Sequence, residues 1–171
     1  MHIPKKFIPY LRTNHSGETG AVFIYRGILC VIKDQEVKNF AMNHLKTESE
    51  HLEKLEKIIP KSEKSKLLTL WKFFGFITGF IPALIGKRFV FATIYYVETF
   101  VEKHYEEQIL LLKKYKSVNK LKNLLKNLKD DEINHKTEAL SEIKNFNILI
   151  KLWGKTVQIG SKLAVFISYK I

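Results

Sequence analysis

Two copies of the tetrad Glu-x-x-His constrain this chain more than any other feature: Glu48-Ser49-Glu50-His51 and Glu132-Ile133-Asn134-His135. On a helix, residues three apart share a face, so each tetrad aims a carboxylate and an imidazole at one point. One copy alone is weak, because charged surface helices produce it by chance. Here each copy has a second acidic residue one helix length ahead of it. Glu18 sits in His15-Ser16-Gly17-Glu18-Thr19-Gly20-Ala21, and Glu98 is flanked by Tyr95, Tyr96, Val97, Thr99, Phe100 and Val101. A carboxylate among aromatic and β-branched residues is costly to bury without a partner. Each half therefore reads as a helix carrying Glu, a turn, and a helix carrying Glu-x-x-His. Two such hairpins place four helices around one centre, the ligand scheme of ferritin-like carboxylate-bridged di-metal proteins.

The rest of the sequence agrees with a helical chain. Only 8 Gly and 4 Pro occur in 171 residues, and 46% of the chain is hydrophobic. The length fits one domain, residues 1–171, with a sizeable core. Periodicity and punctuation predict six helices: about Ser16 to Ile32 with a serine cap, Glu36 to Ile59 ending at Pro60, Leu67 to Ile85, Phe89 to Tyr115, Val118 to Lys144, and Ile148 to Tyr169. The predicted fold is all-α: a ferritin-like four-helix bundle with two additional amphipathic, membrane-facing helices. No strand pattern is legible, and no G-x-G-x-x-G follows a strand, which excludes a nucleotide-binding domain of that type. The lone Cys30 excludes an intrachain disulfide and reads as core. Residues Met1 to Tyr10 lack an apolar run of signal-peptide length, so no cleavable targeting segment is expected.

The candidate metal ligands are Glu18, Glu48, His51, Glu98, Glu132 and His135. Four carboxylates balance two Fe(II) ions. Iron or manganese suits a site rich in carboxylates, whereas zinc prefers more His or Cys. Glu48 and Glu132 are the expected bridges, with Glu18 and Glu98 as terminal ligands. Asp131 is placed to hydrogen-bond a metal-bound imidazole, the competing reading being a solvated helix charge. Tyr105, two turns after Glu98, either lines the pocket or packs in the core. His44 shares a face with His51 but has no carboxylate paired with it in sequence. His2, His15 and His104 read as surface residues or as groups behind the ligands.

The balance of 29 Lys plus Arg against 17 Asp plus Glu gives a net charge of +12, which attracts nucleic acid or an anionic membrane. No nucleic-acid-binding motif is legible, so nucleic acid is not an expected partner. Phe73 to Gly86 is an apolar run bounded by Lys72 and Lys87-Arg88, and it is short for a span. A single crossing there would put Glu18 and Glu48 on the opposite side of the bilayer from Glu132 and His135, so the site could not close. Segments 67–86 and 148–169 are therefore expected to lie in the interface. In the second, Lys151, Lys155 and Lys162 form one stripe and Ile148, Leu152, Ile159, Leu163 and Phe166 another, which suits an anionic lipid surface; a core-packing helix with a solvated lysine face is the alternative.

These residues resemble the demethoxyubiquinone hydroxylases, di-iron monooxygenases of ubiquinone biosynthesis. The resemblance runs through Arg12 and His15 to Ala21, Ile24-Tyr25, Gly27, Glu48 with His51, Leu70-Trp71, Gly75-Phe76, Gly79, Val97-Glu98, His104-Tyr105, Gln108, Asp131-Glu132 with His135, and Ser168. Asn14 departs from the Asp usual in that family. The resemblance implies two Fe ions per chain and hydroxylation of a polyprenyl methoxy-methyl benzoquinol by O2, with NADH as an electron source for which the sequence itself shows no site. It implies peripheral attachment to the cytoplasmic face of a bacterial inner membrane, or to an organellar inner membrane. A ubiquinone-biosynthesis protein complex or a homo-oligomer is the protein partner it implies. The competing functions are a ferritin-like ferroxidase and a membrane-bound quinol oxidase.

Overall fold

The computed structural model describes residues 3–171, so His2 lies outside the described residues. Six helices follow in order: α1 (Ile8–Val31), α2 (Gln35–Glu56), α3 (Leu68–Ile85), α4 (Lys87–Leu112), α5 (Asn119–Ser141) and α6 (Ile148–Lys170). No strand occurs among the described residues, and the fold is the expected all-α, ferritin-like bundle. Two helix starts are set by side-chain caps. Asp34 accepts a hydrogen bond from the Val37 amide at 3.1 Å at the head of α2, and Asn147 accepts from Ile150 at 2.9 Å at the head of α6.

The start of α1 differs from the sequence expectation. The helix begins at Ile8, with a proline in its first turn, so Ser16 is an interior position and not a cap. The reason is tertiary: Leu11 packs with Phe7, Leu55 and Leu125 below the centre of the bundle, and this contact extends the helix by two turns. Cys30 is exposed and not core, because it lies on the side of α1 opposite Ile24 and Ile28.

Helices α1, α2, α4 and α5 form the bundle. Its apolar interior is split into two parts. One contains Tyr25, Ile28, Val37, Phe40, Phe91, Ile94 and Ala139; the other contains Leu11, Leu55, Ile109, Leu121, Leu125 and Leu128. The gap between them falls at Glu18, Glu48, Glu98 and Glu132, one from each helix, so a charged layer interrupts the core at a single level.

Helices α3 and α6 pack outside the bundle against α1 and α4. Helix α3 runs parallel to α1 at backbone contact. A Cβ on Gly75 would collide with the carbonyl of Gly20, and one on Gly79 with the carbonyl of Ile24. The turn from α3 into α4 is a single residue, Gly86, whose φ of 138° is strained for any side chain. The outer faces of both flanking helices are apolar: Phe73, Phe74, Leu84 and Ile85 on α3, and Ile148, Leu152, Ile159, Leu163 and Phe166 on α6 are all more than half exposed. The apolar stripe of α6 thus faces outward, and its inward face is Ile150, Gly154, Val157 and Ser168. By length and composition alone α3 is long and apolar enough to cross a membrane. Its parallel seam with α1 makes it a wall of the bundle.

Candidate metal centre

All six ligands expected from the sequence converge in the charged layer, and each is at most 6% exposed. They form two overlapping groups whose ligand atoms lie within 4.8 Å of one another: Glu18, Glu48, His51 and Glu132, and Glu48, Glu98, Glu132 and His135. Glu48 and Glu132 belong to both groups, while Glu18 and Glu98 belong to one each.

The distances describe a tight cluster. Nδ1 of His51 lies 3.1 Å from Glu132 and 3.6 Å from Glu18. Nδ1 of His135 lies 3.1 Å from Glu48 and 3.2 Å from Glu132, but its direction makes no hydrogen bond. One oxygen each of Glu18, Glu98 and Glu132, and both oxygens of Glu48, are buried without a hydrogen-bond partner. Buried carboxylate oxygens left this way are costly, and a cation between them removes the cost. Oxygen and imidazole donors in a four-to-two ratio fit hard or borderline divalent ions such as Fe(II).

The electrostatics say the same. Burial, then the charge of Glu132, pushes Glu48 and Glu98 well above the usual carboxylate range. Burial also raises Glu132, but the two imidazoles outweigh it and bring Glu132 to about 2. Burial lowers both imidazoles; contacts with Glu132 and Glu18 nevertheless raise His51 to about 12, and contacts with Glu132 and Glu48 raise His135 to about 10.

The residues behind the ligands are also defined. Oδ2 of Asp131 lies 3.0 Å from Nε2 of His51, the imidazole of the other tetrad, which leaves Nδ1 of His51 facing the cluster. The Tyr105 hydroxyl donates to Glu18, and the ring is buried on the cavity wall. His44 has a carboxylate after all: Glu138 of α5 lies 2.8 Å from its Nε2, its Nδ1 lies 3.2 Å from the Tyr25 hydroxyl, and its ring stacks on His135 at 4.0 Å. Spacing within α2 could not reveal a partner on another helix. His15 is buried and pairs with Glu56 at 2.7 Å, and His104 meets Thr13 and Gln108 through Nε2 at 3.0 and 2.8 Å. Neither belongs to the two groups of converging ligand atoms. Gln108 joins Asn14 in a reciprocal pair of bonds at 2.9 and 2.7 Å. The hydrogen bonds of Asn14 and Gln108 carried no local sequence signal.

A cavity of about 420 Å³ adjoins the cluster. Glu18, Glu48, Glu98 and Glu132 reach its inner wall, and its other walls come from α1, α3, α4 and α6. Its lining includes the exposed side chains Leu70, Phe74 and Leu163, so it opens on the apolar face formed by α3 and α6. The sequence indicated both helices but not the hollow between them.

Comparison with known proteins follows this geometry. The profile of the family described as Ubiquinone biosynthesis protein COQ7 matches residues 5–168. NADPH-dependent 3-demethoxyubiquinone 3-hydroxylase, mitochondrial, of Dictyostelium discoideum is 30% identical over 164 residues, covering 94% of this chain and 76% of the relative. The Homo sapiens protein of the same name is 27% identical over 165 residues, with the same coverage. The 3-demethoxyubiquinol 3-hydroxylase of Rhodospirillum rubrum is 25% identical over 165 residues, covering 95% of this chain and 77% of the relative.

Proposed function

The chain belongs to the ubiquinone biosynthesis protein COQ7 family, and from that premise we propose that it hydroxylates the ring of a demethoxyubiquinol-type polyprenyl benzoquinol with O2, at two iron ions held in the charged layer. The observation that carries this reading is the junction of two features: a cluster of buried carboxylates with unpaired oxygens, and an apolar cavity that runs from it to an exposed apolar face.

In this reading Glu48 and Glu132, which belong to both ligand groups, Glu18 and Glu98, which belong to one each, and the Nδ1 atoms of His51 and His135 would hold the two ions. Bound iron would supply O2 reduction, with one oxygen atom going to the ring, the other to water, and two electrons drawn from outside. Tyr105 fixes one oxygen of Glu18 and so orients the other. Asp131 accepts a hydrogen bond from Nε2–H of His51 and so holds its tautomer. The cavity walls admit an electron-rich ring and exclude bulk water, while the prenyl tail stays in lipid. The electron donor is a reduced nicotinamide; the eukaryotic relatives' names give NADPH where the resemblance implied NADH.

Helices α3 and α6 are the interfacial segments of this single-domain bundle, consistent with exposed apolar faces beside Lys151, Lys155 and Lys162. The membrane would be an organellar inner membrane in a eukaryote, in line with the relatives named mitochondrial, or the inner membrane of a bacterium. A homo-oligomer or a complex of the same biosynthesis remains part of the proposal.

The test is hydroxylation under labelled O2 with reduced, iron-loaded chain and a short-tailed demethoxyquinol. One labelled oxygen on the ring is expected. A quinol oxidase would send both oxygens to water, and a ferroxidase would leave the ring untouched. Glu98→Gln, which removes one charge and one ligand, is expected to abolish most of the label; undiminished label in that variant overturns the site assignment.

A further inference from the structure

Four helical serines and threonines of this chain satisfy their hydroxyls on the backbone of their own helix. Thr19, Thr93, Thr99 and Ser49 each donate to the carbonyl four residues back, at 2.6–2.7 Å. Ser16 and Ser168 do not. Both are helical, 5% and 0% exposed, and each hydroxyl is buried without any partner. Both line the cavity that adjoins the carboxylate cluster.

They lie toward the end where α6 terminates beside the start of α1, as the Arg12 contact with the Tyr169 carbonyl and the Tyr10–Tyr169 ring pair show. Two further polar residues lining this end, Thr13 and Asn14, are already engaged. Thr13 donates to the carbonyl of Tyr10 and meets His104, and Asn14 is paired with Gln108. Ser16 and Ser168 thus stand in the lining of the hollow as buried hydroxyls that have no partner. A buried polar group without a partner is rare and costly, and a ligand that supplies the partner gains what the empty site forgoes. A hydroxyl both donates and accepts, so it can hold a quinone oxygen or a quinol hydroxyl alike.

We propose that Ser16 and Ser168 are the specificity determinants of the cavity, each hydrogen-bonded to an oxygen of the substrate ring, so that the ring is held by its oxygens from α1 and α6 while its carbon edge faces the carboxylate cluster. This rests on the cavity being the seat of the quinol ring. It assigns a use to Ser16 and Ser168 that metal binding does not require.

Both tryptophans of the chain, Trp71 and Trp153, line the same cavity, which gives a readout independent of turnover. The full chain, iron-loaded and air-oxidised, is titrated with two probes that quench indole fluorescence. One is 2-methoxy-5-methyl-1,4-benzoquinone; the other is 4-bromotoluene, which has a similar ring and no oxygen. Ser16→Ala and Ser168→Ala are each expected to weaken quinone binding by roughly five- to tenfold, the worth of one hydrogen bond, and to leave bromotoluene binding unchanged. A repacked or loosened cavity would move both probes together. Quinone affinity equal to wild type in both variants, or equal losses for the two probes, overturns the proposal and leaves the cavity reading intact. If the wild-type chain quenches with neither probe, the cavity is not the ring's seat, and the proposal fails together with the premise beneath it.

Discussion

Glu132 touches both imidazoles of the cluster, and this double contact explains its depressed pKa of about 2 beside two carboxyls that are pushed up. Two predictions belong to this scale. Glu132→Ala removes a group shared by both metal positions, so most iron should be lost; iron analysis showing full occupancy would falsify the shared role. Asp131→Asn keeps the size of the side chain but removes the charge behind His51, and metal affinity is expected to fall roughly ten- to hundredfold. The metal-free chain also has a definite pH dependence. His135 binds its proton up to about 10 when folded, against an ordinary value of 6.5. Its contribution to stability is therefore fully present below about 6.5 and is lost as pH rises through about 10. His51, held at about 12, extends the same trend to higher pH. Thermal melts of metal-free chain should show Tm falling across that alkaline range. With iron bound at the proposed site both imidazoles would already be neutral ligands, so the fall should be much smaller.

At the scale of elements, the α1–α3 seam is the most demanding contact in the molecule, because it brings two backbones together without side chains between them. Gly79→Ala drives a methyl group into the carbonyl of Ile24. Overpacking costs about 3 kcal/mol and the gain in helix propensity returns about 1, so the net loss is about 2 kcal/mol and Tm should fall by roughly 4–8 °C. Gly160 in α6 is the control, since a Cβ there meets nothing within 4 Å. Gly160→Ala should raise stability by up to about 1 kcal/mol. If the two variants melt alike, the seam is not the constraint on α3. The caps at Asp34 and Asn147 and the turn at Gly86 belong to the same scale: each ends or starts a helix where the bundle requires a reversal.

The whole molecule is a helical bundle with a buried carboxylate and imidazole cluster and one greasy side. Phe74 of α3 and Leu163 of α6 are exposed at the cavity, Phe73, Leu84 and Ile85 of α3 and Ile159 and Phe166 of α6 are exposed on the same two helices, and the chain carries a net charge of +12. Sedimentation with anionic vesicles is the measurement. Binding is expected at low salt, partial release at high salt as the lysine contribution is screened, and full release only in detergent. A chain that stays in the supernatant at every salt concentration would show that these faces do not meet lipid.

The two Glu-x-x-His tetrads, with Glu18 and Glu98 ahead of them, were enough to specify a four-helix arrangement, because i and i+3 spacing projects ligands from one helix face whatever the rest of the chain does. Helix order and the six-residue set were legible for that reason. Features that depend on two distant segments were not. Whether Ser16 starts α1 was decided by Leu11 meeting Leu55 and Leu125 across the bundle, and whether Cys30 is buried was decided by which side of α1 faces α2 and α4. The pairings of Asp131 with His51, of Glu138 with His44 and of Gln108 with Asn14 each join different helices, so no local spacing encodes them. The cavity is the clearest case. It is a volume enclosed by four helices, and only their packing around Gly20, Gly75 and Gly79 determines that a hollow reaching the carboxylates exists at all.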